Sequence, residues 1–137
     1  MDKALSLLSL CRKGGNIAIG EEPVGAEARA NRARLIVVAR DASDHTVRRV
    51  RSYVAGTNQP WIALPYCKDE LGEALGVNVC AMAAITDVRL ALAFAKSLDS
   101  AEPALLDDLS RRAERVTQRQ KEEKAHRRNV KIGKKHR

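Results

Sequence analysis

Asp41, Asp44 and His45 place two carboxylates beside an imidazole, a set able to move protons. The surrounding residues explain them without catalysis. Arg40-Asp41-Ala42-Ser43 turns the chain, and Ser43 or Asp44 caps the helix that follows. Cys11, Cys67 and Cys80 could bind a metal or act as nucleophiles, but they are odd in number and far apart, with no C-x-x-C. Neither a disulfide framework nor a zinc knuckle fits that spacing. Their apolar neighbours suit buried, reduced thiols in a cytoplasmic protein. Gly14, Gly15 and Gly20 match neither G-x-G-x-x-G nor the Walker A pattern, and no Lys-Ser/Thr follows them. Turns and a helix start account for them. No H-x-x-x-H, G-x-S-x-G or calcium loop occurs, so the expectation is no enzyme, no metal and no cofactor.

The remaining chemistry is charge. Of the 137 residues, 25 are Lys or Arg and 17 Asp or Glu, a net of +8. Residues 1–100 hold 13 basic and 11 acidic side chains, whereas residues 101–137 hold 12 and 6. From Lys124 onward the chain carries Lys124, Arg127, Arg128, Lys131, Lys134, Lys135 and Arg137 and no carboxylate. A nearly neutral body with a cationic tail suits a polyanion, and nucleic acid is the commonest. The tail has too few large apolar residues to insert into a membrane surface. The aromatics are only Tyr53, Trp61, Tyr66 and Phe94, too few for modules that stack bases on several rings. Within the body, Arg12, Lys13 and Gly20 are expected at one edge. There a helix starting at Gly20-Glu21 would present backbone N–H groups to a phosphate or a base edge.

These groups need elements to position them. Residues 3–12 read as a helix behind Asp2, with Ala4, Leu7, Leu8 and Cys11 on one face. Asn16–Ile19 reads as a strand and Glu21–Ala30 as a helix, its carboxylates in the first turn. Leu35–Ala39 is an unbroken, β-branched run, the pattern of a strand covered on both faces. A helix to Val54, a strand over Pro60–Leu64, a helix over Lys68–Leu75, a strand over Val79–Ile85 and a helix capped by Thr86 or Asp87 follow. Alternating short helices and strands predict a three-layer α/β/α sandwich around a small four-stranded sheet. Residues 1–100 form this domain. Residues 101–137 form a basic extension, either a solvated helix or a disordered arm, because large apolar residues are sparse after Leu109.

The block Arg12-Lys13-Gly14-Gly15-Asn16-Ile17-Ala18-Ile19-Gly20, the helix after it, and Ala33-Arg34-Leu35-Ile36-Val37-Val38-Ala39-Arg40-Asp41 resemble the archaeal and eukaryal ribosomal protein family that binds kink-turn RNA. Lys68-Asp69-Glu70-Leu71-Gly72, Ala74-Leu75-Gly76 and the stretch from Val79 continue the match in order. The resemblance spans residues 3–98 and is strongest to bacterial, ribosomal-protein-like members whose second helix starts Gly-Glu-Glu. It implies a mixed sheet and an RNA-binding edge. In that family the start of the second helix meets tandem G·A pairs, and an apolar loop before the last strand covers a flipped base. The corresponding positions here are Gly20, Glu21, Glu22 and Pro23, and the loop Gly76-Val77-Asn78-Val79-Cys80. Arg12, Lys13, Arg34 and the tail would attract phosphates.

The chain departs from the family at Glu22-Pro23, where Asn-Glu is usual, and at Ala26, where Lys is usual. A carboxylate only accepts hydrogen bonds. Glu22 can therefore take guanine N1–H and N2–H₂, but it repels phosphate. The reading that results is a non-catalytic protein, monomeric when free, that binds ribosomal or another structured RNA and associates with the ribosome. Two alternatives stay open. One is a protein-interaction module that has lost the specific RNA edge and binds RNA non-specifically through its tail. The other is a substrate-recruiting fragment of an RNA-modifying enzyme.

Overall fold

Four apolar segments pair into one sheet in a computed structural model that describes the backbone of residues 2–135 and the side chains of residues 2–129. The elements run α1 (Lys3–Lys13), β1 (Ile17–Ile19), α2 (Glu21–Arg29), β2 (Leu35–Val38), α3 (Asp44–Val54), β3 (Trp61–Ala63), α4 (Lys68–Leu75), β4 (Met82–Ile85), α5 (Val88–Lys96) and α6 (Pro103–Lys135). The sheet order is β1-β4-β2-β3. The strand β4 is antiparallel to both β1 and β2, while β2 and β3 are parallel. This is the expected mixed four-stranded sheet.

Alternation along the central strands builds two cores. Leu35 and Val37 face one side with Leu8, Cys11, Leu71, Leu75, Ile85 and Phe94. Ile36 and Val38 face the other with Val24, Val50, Met82 and Ala84. The helices α1, α4 and α5 cover the first face, and α2 and α3 the second. All residues of β2 and β4 are buried, as expected for strands enclosed between layers.

Two elements differ from the sequence-based expectation. The last strand begins at Met82 rather than Val79. The reason is that the Cys80 N–H donates to the Lys68 carbonyl at 3.1 Å, which ties this stretch to the start of α4 instead of to the sheet. The C-terminal segment is one long helix that begins four residues earlier than Asp107, with Pro103 in the first turn, where its missing N–H is not needed. Its first turns join the larger core. Leu109 is fully buried, Ala113 is buried, and Leu105, Leu106 and Val116 pack beside them. From residue 117 to residue 129 every residue is exposed. Among the described residues, no helix is long and apolar enough to cross a membrane.

Candidate functional site

The strand register separates two ends of the sheet. At one end Ile19 pairs with Ala83 and Val38 with Met82. At the other, Ile17 and Leu35 both pair with Ile85. Gly20 lies at the first end, and its N–H donates to the Met82 carbonyl at 3.1 Å. It caps α2 with φ 96° and ψ 167°, a conformation open to glycine and strained for side-chain-bearing residues. No side chain caps this helix. The first-turn N–H groups of Glu21 and Glu22 are thus left for a ligand or solvent, and Pro23 has none.

The two carboxylates of this turn differ. Glu21 Oε1 lies 2.7 Å from Arg49 Nε and 4.0 Å from His45 Nε2. The Tyr53 hydroxyl donates to the Glu21 carbonyl at 3.2 Å. Glu21 is therefore tied down onto α3, whereas Glu22 and Pro23 are exposed. Glu22 borders a shallow hollow with Ala26, Arg29, Arg49 and Tyr53.

The Val77–Cys80 loop reaches the same end because it feeds Met82. It is held by the Val77 N–H, which donates to the Gly72 carbonyl at 2.9 Å. Gly72 permits this approach, since a Cβ there would meet the Asn78 carbonyl oxygen at 2.6 Å. Val79 is 57% exposed and Asn78 is exposed. Cys80 points the opposite way: it is buried and its thiol donates to the Met82 carbonyl at 3.2 Å. Burial pushes that thiol up to about 11. The loop thus offers Val79, the Asn78 amide and backbone groups, while the Cys80 side chain serves the core.

Of the acid–base candidates, Asp41 caps a helix, Asp44 opens α3, and His45 faces Glu21. Asp41 Oδ1 accepts from the Lys68 N–H at 2.8 Å, at the start of α4. Ser43 Oγ accepts from the Thr46 N–H at 3.2 Å, as the cap of α3. Among the described residues, no three His, Cys, Asp or Glu side chains group as a metal site. Cys67, expected to be buried with Cys11 and Cys80, is only partly covered, because it stands at the N-cap of α4.

Arg12, Lys13 and Arg34 do not join Gly20. Arg12 and Lys13 end α1, just before β1 starts, and are exposed. Arg34 precedes β2 at that same far end, and its N–H donates to the Ile85 carbonyl at 2.8 Å. A strand of three residues, about 10 Å, separates this end from the Gly20 end. Lys124, Arg127 and Arg128 are exposed on α6, and Arg127 reaches Glu123 at 3.5 Å. The side chains of Lys131, Lys134 and Lys135 lie outside the described residues. Four further arginines, Arg111, Arg112, Arg115 and Arg119, line a cleft with Arg34. Their recurrence at helical spacing is the one signal in the sequence that marks them.

No family model matches the chain. It is 30% identical over 74 residues, 54% of its length, to the RNA-binding protein YlxQ of Enterococcus faecium, covering 71% of that protein. A protein of unknown function from Bacillus halodurans C superposes with a TM-score of 0.67 at 23% identity, over 73% of this chain and 100% of that one. The 15.5kD RNA binding protein of Giardia lamblia superposes with a TM-score of 0.59 at 21% identity, over 74% of this chain and 85% of that one. These two likenesses concern the fold. With the YlxQ match spread over most of that relative, the chain belongs to the family of YlxQ.

Proposed function

We propose that the protein binds structured RNA and carries out no reaction on it. The observation that carries this reading is the juxtaposition of the start of α2, which no side chain caps, with the exposed Val79 loop, joined by the Gly20–Met82 hydrogen bond of 3.1 Å. Support comes from the names of two similar proteins, both called RNA-binding. In the proposed mode the helix start meets base edges of a bent RNA, kink-turn-like or ribosomal, and Glu22 accepts from guanine N1–H and N2–H₂. Val79 covers an unstacked base, with Asn78 beside it. Residues 1–100 carry this recognition in the cytoplasm, and the cationic extension over 101–137 adds phosphate attraction. A folded ribosomal RNA, free or within the ribosome, is the proposed partner.

The test is titration of the full chain against a kink-turn RNA and against a plain duplex of the same length. Binding that favours the bent RNA is expected. Val79→Glu, at an exposed position, should weaken it on the order of tenfold. The reading fails if no folded RNA is bound at low ionic strength. A second reading, a protein-interaction module, draws on the exposed Glu22 and on the tethering of Glu21 to Arg49. Kink-turn binding that appears only in a Glu22→Asn, Pro23→Glu double variant would favour it.

A further inference from the structure

We infer that the cleft between α6 and the start of β2 is a second RNA contact, which grips the sugar–phosphate backbone of one strand at the end of the sheet opposite Gly20. This inference rests on the reading of the chain as an RNA binder. Arg111, Arg115 and Arg119 recur every four residues along α6, so each lies about 6 Å beyond the last on one face. Arg112 and the half-buried Arg34 complete a cleft of about 880 Å³, with Asn58 at its wall.

Folding does not explain this row. Like charges four apart on a helix destabilise it. The acid available within the cleft is Asp108, which is already engaged by Arg112 at 3.0 Å and Arg111 at 3.8 Å. Arg112 also donates to the Asn58 carbonyl at 2.6 Å, so this pair fastens α6 to the loop before β3. Arg115 and Arg119 are exposed and, among the described residues, meet no carboxylate within ion-pair distance. Glu122 and Glu123 lie beyond the row and interact with Gln118 and Arg127.

The facing wall is rigid. Gln59 is buried, accepts from the Ala33 N–H and donates to the Ala28 carbonyl, both at 3.0 Å. It locks the segment that carries Arg34 and Asn58 to the end of α2. Guanidinium groups in a row on a fixed wall suit phosphate oxygens, which they bind in a planar, two-pronged manner. The Gly20 end is mixed in charge: Glu22, Asp41, Asp44 and Asp69 are exposed there beside Arg40 and Arg49, and Arg49 is paired with Glu21. Arginines in a row without carboxylate partners are therefore a feature of the Arg34 end, which suits it to phosphate.

The experiment measures RNA affinity of the full chain against salt concentration, for the wild type, for Arg115→Gln with Arg119→Gln, and for Lys96→Gln with Lys121→Gln, which line the neighbouring hollow that Arg115 also borders. All four side chains are exposed, so folding is spared. The arginine variant should flatten the log–log salt slope by about 1.4 to 1.8 and, at about 0.15 M salt, weaken binding roughly ten- to thirty-fold. The lysine variant removes equal charge and should change affinity by less than about threefold. Equal losses in both variants, or an unchanged slope in the arginine variant while the wild type binds, overturn the cleft alone. A wild type that binds no RNA overturns the cleft together with the proposed function. Poly-glutamate bound as tightly as RNA, with the same loss in the arginine variant, would assign the cleft to an acidic protein instead.

Discussion

The three cysteines show how position decides reactivity. Burial pushes Cys11 up to about 11, helped by the nearby Asp87 charge, and burial pushes Cys80 up to about 11. A raised thiol pKa keeps the neutral form, so at pH 8 almost no thiolate exists at either site. Cys67 is only partly covered. Iodoacetamide at pH 8 should therefore label Cys67 well ahead of Cys11 and Cys80 in the folded protein, and all three in denaturant. Mass spectrometry of the labelled peptides reads the order, and rapid labelling of Cys80 would show that the Val77–Cys80 loop does not seat its thiol in the core. Their apolar neighbours foretold burial for Cys11 and Cys80. They did not foretell that Cys67 would begin α4, because an N-cap stands at the rim of a core rather than inside it.

The C-terminal helix divides into two parts along its length. Leu109 is fully buried against α5 and the first core, whereas residues 117–129 stand in solvent. Leu109→Ala should lower stability by about 2–5 kcal/mol in a urea titration, the usual cost of a cavity in a packed core. Thr117→Ala, at an exposed position one turn beyond Ala113, should change stability by no more than about 0.5 kcal/mol. An equal, small effect at both positions would show that α6 is not part of the core. Sparse apolar residues pointed correctly to exposure beyond Val116. The docking of the first turns was harder to read, since Leu105, Leu106, Leu109 and Ala113 acquire a purpose only once α5 offers them a surface.

Charge is divided between the two ends of the molecule, and this should appear in how binding responds to salt. The exposed cations Lys124, Arg127 and Arg128 lie on the solvated part of α6, apart from the start of α2 in the chain. Replacing all three by Gln should weaken binding to bent and plain RNA alike and flatten the log–log salt slope by up to about 2 to 2.7. Val79→Glu should instead spare plain duplex and reduce the preference for the bent form. An electrophoretic mobility assay with both RNAs, at two salt concentrations, separates these outcomes. If the triple variant changed only the preference, the tail would be a recognition element and not a source of general attraction.

Helix and strand identities, the enclosed central strand and the glycine-started second helix were readable along the chain, because apolar periodicity and capping chemistry are local. Which residues become neighbours was not. Gly20 meets Met82, and Arg34 comes to share a cleft with Arg111 and Arg119, across more than sixty intervening positions. Those encounters depend on β4 inserting between β1 and β2, an arrangement set by the packing of every layer at once. The same insertion sends Arg12, Lys13 and Arg34 to the end away from Gly20, since a strand delivers its first and last residues to opposite edges of the sheet.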